Sequence, residues 1–194
     1  YWSKMDAITP LSFTKNSLID NNQLKKAGLN KTIFTNAWRK MYEICIRTEF
    51  IPRNVKTLRH FDICGFPGAF VLAVNQFVHT HTNIKKYMWY MQSYNSEGTS
   101  EASSLDNDNS KDDGLYFTDK FNLYKKYPRR FFFGSSGIGD ISDRDTILEY
   151  IKTFSKSQKF DIVTSDCGTG WSPGVTRENY MAKIFFGIIV CFIS

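Results

Sequence analysis

Asp62, Gly65 and Gly68 fall within the run Phe61-Asp62-Ile63-Cys64-Gly65-Phe66-Pro67-Gly68-Ala69-Phe70, where an apolar stretch carrying one acid meets a glycine-punctuated turn. Side chains at 65 and 68 would keep a ligand away from the backbone, and glycine tolerates the angles of a sharp strand-to-helix turn. Acid, turn and following helix together make a place where backbone can approach a small cofactor. A second acid-plus-glycine turn, Ser165-Asp166-Cys167-Gly168, follows another apolar run. Taken singly, each has a plain structural reading: an ordinary tight turn or dinucleotide site at Asp62, a helix cap at Asp166. The three histidines point to no metal, because His79 and His81 are two apart and face away from each other on a helix, and His60 reads as structural.

The surrounding pattern supplies elements to hold both turns. A helical period runs from Ile33 to Thr48, with Phe34, Ala37, Trp38, Met41, Ile44 and Cys45 on one face and Arg39, Lys40 and Glu43 elsewhere. Thr35 or Asn36 can cap its start, and Pro52 closes the region. Strands are predicted at 58–64, 87–92 and 160–164, and helices at 68–77, 143–154 and about 175–193. Strands alternating with helices predict an α/β fold, a parallel sheet covered on both faces. Ligands of such sheets bind beyond the carboxyl ends of the strands, where both acid-plus-glycine turns would lie.

The length, 194 residues, suits one domain with a real core; 42% of the residues are hydrophobic and 16% aromatic. The formal charge is +6, and the stretch 95–114 holds six acids against one lysine, so removing its −5 leaves +11 elsewhere. A surface that basic favours a polyanionic partner. Residues 1–30 read as an N-terminal extension and 95–114, almost without apolar side chains, as a mobile acidic loop. Four scattered cysteines (45, 64, 167, 191), with no C-x-x-C pair, argue against zinc or a dense disulfide framework and fit a reducing, cytoplasmic compartment. The apolar run 184–193 is too short to span a bilayer.

The runs Thr35-Asn36-Ala37-Trp38-Arg39-Lys40-Met41-Tyr42-Glu43-Ile44, Asp62–Phe70 and Asp161-Ile162-Val163-Thr164-Ser165-Asp166-Cys167-Gly168 resemble, in order and spacing, the FtsJ-like RNA 2′-O-methyltransferases, most closely the divergent viral and cap-methylating branch. The resemblance covers about residues 33–194. It implies a Rossmann-like methyltransferase fold in residues 31–194, S-adenosyl-L-methionine as cofactor, and methylation of a ribose 2′-hydroxyl on RNA, commonly the first nucleotide of capped mRNA. Capping-machinery partners and a host-cytoplasmic or virion location go with it.

By that resemblance Lys40 and Asp166 match the first lysine and the aspartate of the family's catalytic Lys–Asp–Lys–Glu tetrad. The second lysine and the glutamate are expected past residue 194, with the rest of the domain, and the chain alone is expected to aggregate or be inactive. Lys183 sits on the wrong element to replace them. Asp62, Gly65, Phe66, Pro67 and Gly68 match the motif at the methionine end of the cofactor, and Gly139-Asp140-Ile141 matches the segment that holds the adenine. Ala69 stands where a second glycine is usual, Phe66 is bulkier than the common alanine, and no acid directly follows the strand at 87–92.

The basic and aromatic stretch with Lys125, Lys126, Arg129 and Arg130 can hold RNA phosphates or be a solvated loop leading to a strand. Lys40, taken alone, reads as a solvated helix lysine. A methyltransferase of ribosomal or other uncapped RNA and an inactive RNA- or cofactor-binding subunit are the competing functions. A dinucleotide oxidoreductase is disfavoured, since G-x-G-x-x-G is absent and Pro67 intrudes.

Overall fold

A computed structural model describes residues 35–95, 119–154, 159–167 and 177–193. The expected extension at 1–30 lies outside the described residues, as does the expected acidic loop apart from Asn95. Helix α1 (Asn36–Arg47) starts where the Thr35 hydroxyl accepts a hydrogen bond from the Trp38 amide at 3.2 Å, so Thr35 is the cap. Strand β1 (Thr57–Ile63) leads through the glycine turn into α2 (Ala69–His81), and β2 (Lys86–Gln92) follows. A short helix α3 (Leu123–Lys126) and a single 3-10 turn (Pro128–Arg130) precede the two-residue strand β3 (Phe131–Phe132). Then come α4 (Arg144–Phe154), β4 (Ile162–Ser165) and α5 (Arg177–Ile193).

The sheet is wholly parallel, in the order β3-β2-β1-β4. The fold is therefore α/β, as the alternation predicts. Strand β1 is central, and its Leu58, Phe61 and Ile63 are fully buried. On one face α1 and α2 pack through Trp38, Met41, Tyr42, Phe70, Val74 and Phe77. On the other, α4 and α5 enclose Phe61 and Ile63 with Ile147, Tyr150, Phe154 and Ile188. Phe61 is ringed at about the spacing of edge-on aromatic pairs: its ring lies 4.9 Å from Tyr150 and 5.0 Å from both Phe154 and Phe160.

Two expectations are corrected. Ile44, predicted on the buried face of α1, is exposed, whereas Glu43 is buried and paired with Arg47 at 2.7 Å. Chain geometry turns the apolar arc by one position, and the i,i+4 ion pair lets the acid lie inside it. The basic–aromatic stretch leads into a strand, as the sequence allowed: β3 extends the sheet directly after it. Cys64 and Cys167, expected as unpaired thiols, form a disulfide between the carboxyl ends of β1 and β4, with Cα atoms 5.2 Å apart. Sequence spacing could not show this: 103 positions separate them, and only the parallel pairing of β1 with β4 brings them together. With the bridge goes the cysteine argument for a reducing compartment.

Candidate active site

The carboxyl end of β1 forms one wall of a cleft of about 260 Å³. Asp62, Cys64, Gly65, Phe66 and Pro67 line it from β1 and the turn. Thr35 and Ala37 contribute from the start of α1, Ala69 and Phe70 from α2, Phe121 from the segment before α3, and Asp166 from the end of β4. The turn is tight: the Gly68 amide donates to the Gly65 carbonyl at 2.7 Å, and Gly68 caps α2 in the left-handed region at φ +107°. A Cβ at Gly65 would overlap the Asp62 carboxylate, and one at Gly68 would overlap Leu123. Both glycines therefore allow close approach of the protein's own side chains, Asp62 at Gly65 and Leu123 at Gly68. The Phe66–Pro67 peptide is cis.

Asp62 is completely buried. Its Oδ1 accepts a hydrogen bond from the Thr164 hydroxyl at 2.6 Å, across the register pair Asp62↔Thr164. Its Oδ2 is buried with no hydrogen-bond partner among the described residues. Burial raises its pKa from 3.8 to about 7, opposed by the Thr164 hydrogen bond and helped by the nearby negative charge of Asp166. An unsatisfied buried carboxylate oxygen is costly, which marks Oδ2 as a position for a ligand donor.

At the cleft mouth Lys40 Nζ lies 2.5 Å from Asp166 Oδ1, both side chains partly exposed. The ammonium also lies 5.9 Å from the Phe70 ring centroid. Helix α1 and the end of β4 thus converge on one ion pair beside the Asp62 wall.

Gln92, fully buried at the end of β2, ties the neighbouring segments to that wall. Its side-chain oxygen accepts from the Cys64 amide at 3.2 Å, its amide group donates to the Gly139 carbonyl at 2.5 Å, and its backbone carbonyl accepts from the Gly65 amide at 3.1 Å. Asp140 does not line the cleft; its Oδ1 accepts from the Ser142 amide and hydroxyl at 2.8 and 2.7 Å. Ile141 is buried in the core with Phe61 and Ile188. The structure therefore joins Asp62, Gly65, Phe66, Pro67 and Asp166 in one cleft, with Lys40 at Asp166 and Gly68 behind the turn, and sets Asp140 and Ile141 one segment away.

Lys125, Lys126 and Arg129 are exposed on α3 and the 3-10 turn, near the cleft because Phe121 lines it and Leu123 packs on Gly68. Arg130 is otherwise engaged: its guanidinium lies 5.0 Å from the Trp89 ring and 5.1 Å from Tyr127. Among the described residues no cluster of His, Cys, Asp or Glu could hold a metal ion, and no helix is long and apolar enough to cross a membrane.

Sequence reasoning missed Gln92, Phe121, Thr164 and the disulfide as parts of this site. Thr164 had one available signal. It lies at the carboxyl end of an apolar strand, the place where ligands of a parallel sheet gather, as Asp62 does.

Searched against known families and structures, the chain matches no family model and no solved structure. Three curated proteins are similar to it. It is 32% identical over its whole length to an uncharacterized protein of Acanthamoeba polyphaga mimivirus, covering 23% of that protein. It is 30% identical over 73% of its length to cap-specific mRNA (nucleoside-2′-O-)-methyltransferase 2 of Danio rerio, covering 18% of that protein. Over 33% of its length it is 38% identical to a probable methyltransferase of African swine fever virus, covering 14% of that protein. The chain spans less than a quarter of the length of each relative. Two of its relatives are thus methyltransferases by name, and its α/β fold is consistent with a Rossmann-like methyltransferase.

Proposed function

We propose that this chain carries the cofactor-binding part of an FtsJ-like, S-adenosyl-L-methionine-dependent RNA 2′-O-methyltransferase, acting on the first nucleotide of capped mRNA. The observation that carries the reading is Asp62 Oδ2, buried without a hydrogen-bond partner among the described residues in a cleft whose turn admits only glycine at 65. That combination fits the ammonium-bearing end of an amino-acid-derived cofactor. Asp62 would hold the cation, and the turn at Gly65–Gly68 would let the cofactor lie against backbone. The cofactor, when bound, supplies an electrophilic methyl group.

The chain's own contribution to the chemistry is at the mouth. A ribose hydroxyl must pass its proton to a base as it reacts, the family's second lysine on the FtsJ-like reading. A fixed positive charge beside the pair eases that transfer and stabilises the developing oxyanion. Lys40 provides that charge and Asp166 fixes its direction at 2.5 Å. Holding both reacting groups in one orientation supplies several kcal/mol of the barrier in general. The exposed Lys125, Lys126 and Arg129, on the segment whose Phe121 reaches the cleft, support an RNA partner.

The test is methyl transfer by the full-length protein to capped RNA, uncapped RNA, and capped RNA already 2′-O-methylated at its first nucleotide. Transfer to the first alone is expected. Equal transfer to uncapped RNA would move the reading to ribosomal or other uncapped substrates, and transfer to the pre-methylated RNA would refute the first nucleotide as the target.

A further inference from the structure

Behind Asp62 runs a buried chain of hydrogen bonds whose polarity is fixed by its own members. The Thr164 hydroxyl proton is committed to Asp62 Oδ1 at 2.6 Å. Its oxygen can then only accept from His60 Nε2, 2.7 Å away, so that nitrogen bears the imidazole proton. Nδ1 is left as the acceptor for the Tyr87 hydroxyl at 2.6 Å. The Val71 carbonyl, 3.4 Å from the Tyr87 oxygen, is a poorer acceptor. Three donors in sequence, Tyr87, His60 and Thr164, thus all point toward one carboxylate oxygen.

None of them brings a positive charge. Burial lowers the His60 pKa to about 3, so its ring is neutral, and burial raises that of Tyr87 well above its ordinary value. The groups facing Asp62 are His60 on its own strand, Thr164 and Asp166 from β4, and Tyr87 from β2 through His60. Asp166 has the same sign as Asp62, and the Lys40 ammonium on α1 is paired with Asp166. The Cys64–Cys167 bridge does not titrate. Asp62 therefore receives hydrogen bonding at Oδ1 and has no paired cation among the described residues, while Oδ2 lies beside Gly65, which lines the cleft with it.

We propose that Tyr87, His60 and Thr164 are positioning residues that turn Asp62 Oδ2 to the cleft and make binding of a cationic ligand there exchange for a proton on that oxygen. The idea rests on the cofactor reading above. The exchange balances: the neutral carboxyl gives up its proton to solvent, the ligand's ammonium takes its place, and no net charge is gained by the buried site. The chain holds the carboxylate geometry through the exchange, because the Thr164 hydroxyl donates to Oδ1 in both states.

The experiment is isothermal titration of the full-length protein with S-adenosyl-L-methionine, and separately with S-adenosylhomocysteine, in pairs of buffers of different ionisation heat. Both probes carry the ammonium, and near pH 6 that group is already protonated. Release approaching one proton per ligand is expected at about pH 6, with affinity rising up to about tenfold per pH unit below the Asp62 midpoint. Thr164→Val, which removes the donor and keeps the shape, is expected to move that rise to higher pH, and Thr164→Ser to restore it. Binding without proton release in the wild type, or a pH profile unmoved in Thr164→Val, would overturn the inference and leave the cofactor reading standing. Absence of binding by the folded protein at any pH would sink both. The wild-type buffer comparison decides the matter even if Thr164→Val does not fold.

Discussion

Lys40 Nζ and Asp166 Oδ1 lie 2.5 Å apart although 126 positions separate the residues in the chain. Their meeting requires α1 to lie across the carboxyl end of β4, and it places one cation and one anion at the mouth of the Asp62 cleft. Because both side chains are more than a third exposed, the pair contributes little to stability, on the order of 0–1 kcal/mol as for surface pairs in general. Its value on the reading above is chemical. Lys40→Ala and Asp166→Ala in the full-length protein are expected to lower methyl transfer to RNA by about 100-fold or more, with the melting temperature nearly unchanged. Single-turnover rates and thermal melts of the same preparations check both halves.

Asp62 and His60 oppose each other in the pH dependence of folding. Asp62 has a pKa raised from 3.8 to about 7, so folding favours its protonated form. That contribution is full below about pH 4 and is lost as pH rises toward 7. His60 has a pKa lowered from 6.5 to about 3, so folding favours its neutral form. That contribution is full above about pH 6.5 and is lost as pH falls toward 3. Over about pH 4–6.5 the slopes have opposite sign and similar size, on the order of 1 kcal/mol per pH unit each. Asp62→Asn should therefore lose stability steeply on acidification, while His60→Asn should gain it. Denaturant titrations across that range would read the two slopes, and equal slopes in both variants would contradict the assignment.

Gly65 and Gly68 should fail for different reasons. Gly65→Ala pushes a methyl into the Asp62 carboxylate and is expected to abolish cofactor binding. Gly68→Ala adds left-handed strain at φ +107° to a clash with Leu123, and is expected to cost about 1–3 kcal/mol of stability. Binding titration of the first and denaturant unfolding of the second separate the two effects.

The disulfide makes a countable prediction. The denatured, unreduced chain should expose two reactive thiols, Cys45 and Cys191, and four after reduction. Removing a link across 103 positions with Cys64→Ser is expected to cost roughly 4–5 kcal/mol in the chain-entropy picture. Thiol counting with an aromatic disulfide reagent and unfolding curves with and without reductant test both numbers.

Charge reversal at Lys125, Lys126 and Arg129 should weaken RNA binding and flatten its salt dependence, by about one unit of log–log slope for each phosphate that is no longer neutralised. Arg130→Ala should instead act mainly on stability, because its guanidinium lies about 5 Å from both the Trp89 and the Tyr127 rings. Binding isotherms at several salt concentrations distinguish the two classes.

The alternation of apolar runs made the α/β class readable, since helical and strand periods differ by nearly a factor of two. Asp62, Gly65, Phe66 and Pro67 were readable because they form one continuous turn in sequence and in space. What was hidden is whatever depends on strand order. The Thr164–Asp62 bond and the Cys64–Cys167 bridge both follow from β4 pairing with β1, which no local pattern specifies. Gln92 was invisible for a related reason: a polar residue ending an aromatic strand carries no sign that it will be buried between two loops. Glu43 shows the same limit on a helix, where its burial is decided by Arg47 one turn on.

On the proposed function the Asp62 cleft binds S-adenosyl-L-methionine. The most direct measurement is titration calorimetry with that cofactor at about pH 7.5, comparing the full-length wild type with Asp62→Asn and Lys40→Ala. Saturable binding by the wild type, at least about 30-fold weaker in Asp62→Asn through loss of a buried charge pair and little changed in Lys40→Ala, is the predicted result. Equal affinity in Asp62→Asn and the wild type would contradict it.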